Sequence, residues 1–154
     1  MKIKNQIKLS FMSIPENVTL ARLAAAAFAS QLEFTIEDLE EIKVVVSEAV
    51  SNSIIHGYDN DPNRVVNLLC TIYDDDVLEL IIEDEGQGIA DISKAIEPAY
   101  STDPERMGLG FTFMQSFMDT LDVESIVDKG TRVIMSKTVP TRMAAASETI
   151  SGNN

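Results

Sequence analysis

Hydrophobic residues recur along the chain with two different periods, and the switches between them predict a mixed α and β domain. Ile7, Leu9 and Phe11 alternate with polar neighbours and predict a first strand. From Pro15-Glu16 the apolar positions Val18, Ala21, Ala25, Phe28 and Leu32 step by three and four, a helical spacing that ends near Glu33. Thr35, followed three residues later by Asp38, has the form of a capping box. It launches a longer helix through Leu39, Ile42, Val46, Ala49, Val50 and Ser53, with Gly57 as the stop. Tyr58 to Asn63 is turn chemistry, after which Arg64 to Tyr73 and Val77 to Asp84 predict two antiparallel strands joined at Asp74-Asp75-Asp76. A further helix is expected from about Phe111 to Thr120, with Met114, Phe117 and Met118 apolar. Val123 to Val127 then pairs with Thr131 to Val139 through the turn Asp128-Lys129-Gly130. The architecture this predicts is an α/β two-layer sandwich: a mixed, mainly antiparallel sheet with helices on one face.

Composition narrows the picture. At 154 residues, 45% hydrophobic and 24% charged, the chain has the size of one domain able to bury a core. The domain is expected over residues 1–140, because 141–154 are mostly Ala, Ser, Thr, Gly and Asn and predict a disordered tail. The longest uncharged apolar stretch, Leu23 to Phe28, falls far short of the roughly 20 residues of a spanning helix, and the N-terminus leads into no signal-peptide core. A cytoplasmic protein with no membrane association is expected. With 25 acidic against 12 basic residues, the net charge of -13 repels phosphate backbones, which argues against direct nucleic-acid binding and for a protein partner with a basic patch. The one cysteine, Cys70, cannot form an intramolecular disulfide and reads as a small buried hydrophobe.

Candidate chemistry lies in three places. The mostly apolar stretch Val77 to Ile82, broken by Glu79, leads through Glu83 into Asp84-Glu85-Gly86-Gln87-Gly88, and the period of two puts Leu78, Leu80, Ile82 and Asp84 on one face. A carboxylate at the end of an apolar surface needs a donor; the exocyclic amine of an adenine would supply one, with Gly86 and Gly88 leaving room for a flat ring. An ordinary Asp-Glu-Gly turn explains the same residues taken alone. On the long helix Glu48, Asn52 and His56 are spaced i, i+4 and i+8 and drift only about 80° around the axis. Asn52 suits Mg²⁺ and Glu48 suits proton removal from a hydroxyl attacking a phosphate; a solvated helix face is the plain alternative, and His56 fits best as the close of the helix end. Between Gly88 and Gly108, 19 residues lack periodicity, as a lid or a disordered insert would. Gly108-Leu109-Gly110-Phe111 then opens a helix, either cradling phosphate with backbone N–H groups or easing a tight turn. Other nucleotide motifs are missing: there is no P-loop, no His-Arg-Asp or Asp-Phe-Gly, and Gly86-Gln-Gly88 lacks the third glycine of a dinucleotide fingerprint.

In order, Glu48-x-x-x-Asn52, Asp84-x-Gly86-x-Gly88, a lid, Gly108-x-Gly110 and Gly130-Thr131 resemble the GHKL ATPase superfamily over residues 1 to about 140. More narrowly, the stretches Val46 to Tyr58, Glu83 to Ile89 and Gly108 to Thr112 resemble the anti-sigma F factors of spore-forming bacteria. The resemblance implies a cytoplasmic homodimer that binds ATP and Mg²⁺, sequesters a sigma factor (sigma F) and phosphorylates a serine of an anti-anti-sigma factor. It implies Glu48 as general base, Asn52 as Mg²⁺ ligand, Asp84 as adenine reader, Gly86 and Gly88 under the base, Gly108 and Gly110 at the phosphates, and Thr131 near the adenine. Arg22 would contact partners, and Arg106 would stand near the phosphates and the docked partner. Met107 and Asp103 depart from the family's pattern, where a small polar and a basic residue are expected. A kinase controlling a stress sigma factor, a non-catalytic ATP-gated binding module and a histidine-kinase fragment are the other readings.

Overall fold

Alternation in β2 (Val65–Tyr73) and β3 (Val77–Asp84) builds the centre of the molecule, with Val66, Leu68, Cys70 and Ile72 on one strand and Leu78, Leu80 and Ile82 on the other all buried. The computed structural model describes residues 1–97 and 107–140. Its sheet has the order β1-β2-β3-β5-β4, completed by β1 (Ile3–Met12), β4 (Thr120–Ile126) and β5 (Gly130–Thr138). The mainly antiparallel sheet expected from the hairpins is antiparallel at every described pairing. The strands turn at Asp76 and Asp128, both at positive φ, a conformation that short Asp side chains tolerate.

One face of this sheet is covered by α1 (Glu16–Ala29), α2 (Ile36–Asn52) and α4 (Met107–Phe117). Ala21, Ala25 and Phe28 of α1, Ile42, Val45, Val46 and Ala49 of α2, and Phe111 and Met114 of α4 share a core with Leu68, Leu80 and Met135. Fully burying a side chain such as Ile42 or Leu80 stabilises by roughly 1.5–3 kcal/mol. An exposed ion pair contributes only about 0–1 kcal/mol. The apolar face therefore outweighs the pairs on the opposite face, where the half-exposed Arg132 lies 3.5 Å from Glu83 and 3.7 Å from Glu124.

Local chemistry sets the helix ends. The Thr35 hydroxyl accepts from the Asp38 N–H at 3.1 Å and the Asp38 carboxylate accepts from the Thr35 N–H at 2.9 Å, the capping box expected there. α1 ends at Ala29 rather than near Glu33, because the Ser30 hydroxyl donates back to the Ala27 carbonyl at 2.6 Å and closes the last turn. α4 starts at Met107 rather than Phe111, so Gly108 and Gly110 lie inside its first turn, and it stops at Phe117 because the chain enters β4 at Thr120, opposite Ser136. The aperiodic stretch holds a short helix, α3 (Ile92–Ile96), whose N-cap Asp91 accepts from the Lys94 N–H at 3.1 Å. The rest of the expected lid, with Asp103 and Arg106, and the tail 141–154 lie outside the described residues. Among the described residues no helix is long and apolar enough to cross a membrane.

Candidate functional site

The site begins where α2 fails to end as an α-helix. Ser53–Gly57 continues it as a π-turn, and Asn52, Ser53 and His56 line a cleft. Asp84, Gly88 and Thr131 come to the same cleft from β3, the loop after it and β5, and Ile89 and Phe111 supply apolar walls. Asp84 faces Thr131 directly in the β3–β5 register, so both stand on the helix-covered side.

Asp84 is only 8% exposed. Burial pushes its carboxyl above the usual carboxylate range, opposed by hydrogen bonds from the Ser53 hydroxyl and the backbone N–H groups of Gly86 and Thr131 and by the charge of Arg64. The Gly86 N–H donates at 2.9 Å. The carboxyl group is thus held by donors on one side and borders the cleft on the other.

The loop after β3 is laced down on both sides. A β-carbon on Gly86 would overlap the Gly57 carbonyl, so Gly86 stands behind the cleft, packing the loop against the π-turn. The Gln87 N–H donates to the Gly57 carbonyl at 2.9 Å, and the Gln87 side-chain amide donates to the His56 carbonyl. The Tyr58 hydroxyl accepts from the Glu85 N–H at 2.7 Å and donates to the Val65 carbonyl at 2.6 Å. Arg64 lies over the Tyr58 ring, 4.5 Å from its centroid, and donates to the Glu85 carbonyl at 2.7 Å. Gly88 has φ of 75° and its Cα faces the Ile126 carbonyl, leaving no space for a side chain.

At the other end, Gly110 brings α4 against Glu48 and Asn52: a β-carbon there would sit 3.0 Å from Glu48 Oε2 and 3.4 Å from Asn52 Nδ2. Glu48 is partly buried, and desolvation raises its carboxyl pKa, which makes it a better proton acceptor. The Asn52 Nδ2 atom is buried with no hydrogen-bond partner among the described residues, a donor that a ligand oxygen would satisfy. Among the described residues no group of three His, Cys, Asp or Glu side chains could hold a metal ion alone. An ion beside Asn52 would have to draw its other ligands from phosphate and water, as Mg²⁺ characteristically does. Glu48 also borders an open groove between α1 and α2, lined with Arg22, Leu23, Lys43 and Val44.

The structure thus brings Asn52, Asp84, Gly88 and Thr131 into one cleft, with Glu48 and Gly110 at its edge and Arg22 one groove away. Gly108 lies in the first turn of α4, and Arg106 lies outside the described residues. The sequence reading missed Ser53, Tyr58, Arg64 and Gln87. Their one available signal was proximity to the motifs, since all four act through the tertiary lacing of loops.

Residues 11–137 match the histidine kinase-like ATPase domain family, the class that this sheet, its helical cover and its cleft define. Among solved structures, the chain superposes with a TM-score of 0.63 on the RsbU and RsbW domains of Rv1364c from Mycobacterium tuberculosis, at 12% identity, covering 88% of this chain and 32% of that one. It superposes with a TM-score of 0.58 on the histidine kinase domain of the Erythrobacter litoralis EL346 blue-light activated histidine kinase, at 18% identity over 83% of this chain and 62% of that one. At these identities the likeness is one of fold. The chain is 50% identical over 137 residues to the anti-sigma F factor of Oceanobacillus iheyensis, covering 88% of this chain and 93% of that one. It is 47% identical over 135 residues to the anti-sigma F factor of Clostridium novyi, covering 86% and 94%. The chain belongs to the histidine kinase-like ATPase family and, within it, to the anti-sigma F factors.

Proposed function

We propose that the chain is an anti-sigma factor that sequesters a sporulation sigma factor, sigma F, and uses ATP to phosphorylate a serine of an anti-anti-sigma partner. The observation that carries the kinase part is the meeting of Glu48 and Asn52 at Gly110, where a cleft with an acceptor for an amino group at its far end opens beside the groove of Arg22. Asp84 would meet the base of ATP, and the start of α4, whose N–H groups and dipole favour negative charge, would receive its phosphates. Asn52 would hold Mg²⁺, which supplies charge neutralisation at the phosphates. The incoming serine hydroxyl attacks the γ-phosphorus as Glu48 takes its proton, and ADP leaves. Arg22 and Arg106 contact the protein partners. The functional unit is residues 1–140, acting as a cytoplasmic homodimer without contact to nucleic acid or membrane.

Incubating the chain with γ-labelled ATP, Mg²⁺ and candidate anti-anti-sigma proteins tests this reading. Acid-stable label on a serine is expected, because phosphoserine survives acid where phosphohistidine does not. ATP-dependent binding of the partner without label would identify a nucleotide-gated binding module instead, and label only with the partner of a stress sigma factor would reassign the circuit.

A further inference from the structure

Ser125, Thr131 and Asp84 stand side by side in one row across three strands, since β4 sets Ser125 opposite Thr131 and β5 sets Thr131 opposite Asp84. Thr131 and Asp84 border the cleft; Ser125 lies one strand behind them and is not among the residues that line it. Its hydroxyl has three neighbours: the Ile89 N–H donates to it at 2.7 Å, it donates to the Gly130 carbonyl at 3.2 Å, and the Thr131 hydroxyl lies 2.8 Å away.

The three contacts can be made together in only one arrangement. A hydroxyl has one proton and two lone pairs. In that arrangement the Ile89 N–H donates to one Ser125 lone pair and the Ser125 proton goes to the Gly130 carbonyl, which can only accept. The third contact closes only if Thr131 donates. The Thr131 proton is then committed to Ser125, and what the Thr131 hydroxyl offers the cleft is lone pairs. Beside it the Asp84 carboxylate is also an acceptor.

We infer that Ser125 is a positioning residue for base selection: by drawing the Thr131 proton to itself, it turns that hydroxyl into a second acceptor, so the row favours a purine bearing a 6-amino group over one bearing a 6-carbonyl. The inference rests on the reading of the cleft as the ATP site and adds the residue that sets its preference. The same Ser125 oxygen anchors Ile89, which lines the cleft as the chain leaves the glycine loop, so the base-reading row and that wall share one hydrogen-bond centre.

The test is equilibrium binding of ATP and of inosine triphosphate, its 6-carbonyl counterpart, to the full chain with Mg²⁺. Ser125→Ala leaves the Thr131 proton free to meet a carbonyl, and the ratio of ATP to inosine triphosphate affinity is expected to fall about three- to tenfold, the scale of one hydrogen bond. Ser125→Thr, which keeps the hydroxyl, should retain the wild-type ratio. In a Thr131→Val background, Ser125→Ala should change the ratio no further, a coupling that a general loosening of the hairpin would not produce. Should Ser125→Ala fail to fold, Ser125→Cys carries the same comparison, because a thiol is a weak acceptor and should lower the ratio likewise. An unchanged ratio in a variant that still binds ATP would overturn the inference alone. A wild-type chain that binds no ATP would overturn the nucleotide reading, and the inference with it.

Discussion

Gly110 faces Glu48 so closely that a β-carbon on the glycine would lie 3.0 Å from the carboxylate oxygen Oε2. α4 and α2, which carries the candidate base, touch at this point. Two effects compete in Gly110→Ala. Alanine in a helix is favoured over glycine by about 0.8–1 kcal/mol, and the obstructing atom is the movable end of a side chain, so the folded chain should lose little stability. The Glu48 carboxylate, however, must give way by a few tenths of an ångström. We expect a thermal midpoint within a few degrees of wild type and phosphoryl transfer reduced at least tenfold, because a misplaced base is costly even when the fold is sound. Label transfer at the wild-type rate would show that the contact does not position Glu48.

Asp84→Asn should separate function from stability. Burial raises the Asp84 carboxyl above its usual 3.8, so the folded state holds that proton more tightly than the unfolded state. Its contribution to stability is fully present below the unfolded pKa and is lost as pH rises through the raised folded value. At neutral pH the charged group is therefore a cost, which the amide removes. The ligand-free variant should lack the fall in midpoint that Asp84 imposes as pH rises through the acid range. ATP affinity should nonetheless drop by about 1.5–3 kcal/mol, the range for hydrogen bonds to a charged group. Calorimetric titration beside thermal melts across pH would check both halves.

Glu48→Gln keeps the shape of the side chain and removes its basicity. Nucleotide binding and partner sequestration should survive while transfer falls by about 10²–10⁴. Because desolvation raises the Glu48 pKa, the wild-type rate should decline as pH drops through a value above the ordinary glutamate range, as the base becomes protonated. The Glu48→Gln variant should not follow that limb. A pH–rate profile of the two proteins is decisive, and parallel profiles would remove Glu48 from the chemistry.

Arg22 is half-buried in a groove that also carries the exposed Leu23 and Val44 and the candidate base. Arg22→Glu should leave ATP affinity unchanged and weaken binding of the sigma factor, the anti-anti-sigma protein or both by about 2 kcal/mol or more, the scale of an interface hot spot. Binding isotherms with ATP and Mg²⁺ present would return Arg22 to a merely solvated role if neither partner's affinity moved.

Lys137 is buried on β5, where its ammonium group donates to the Phe117 carbonyl at 2.6 Å and pairs with Glu41 at 3.3 Å, tying the last residue of α4 to α2. Lys137→Met fills the space but leaves the carbonyl and the carboxylate without their donor. A loss of about 1–3 kcal/mol is expected, visible as a thermal midpoint several degrees lower. A midpoint equal to wild type would mean that water replaces the ammonium without penalty.

The periods of two and of 3.6 in the chain determined which faces of strands and helices are buried, and the Thr35–Asp38 box and the Asp-rich turns placed several boundaries, because these features depend on residues a few positions apart. The chain also marked Glu48, Asn52, Asp84 and the glycines as a set, since each motif is contiguous. Tertiary structure alone decided what those residues meet. The π-turn that carries Ser53 to Asp84, the collision that reserves Gly86 for the Gly57 carbonyl, the row of Ser125, Thr131 and Asp84 across three strands, and the reach of Lys137 from β5 to α4 all join segments far apart in sequence. No local spacing encodes such contacts. They follow from strand register and from the closing of loops over a shared core, whose energy is spread over many residues.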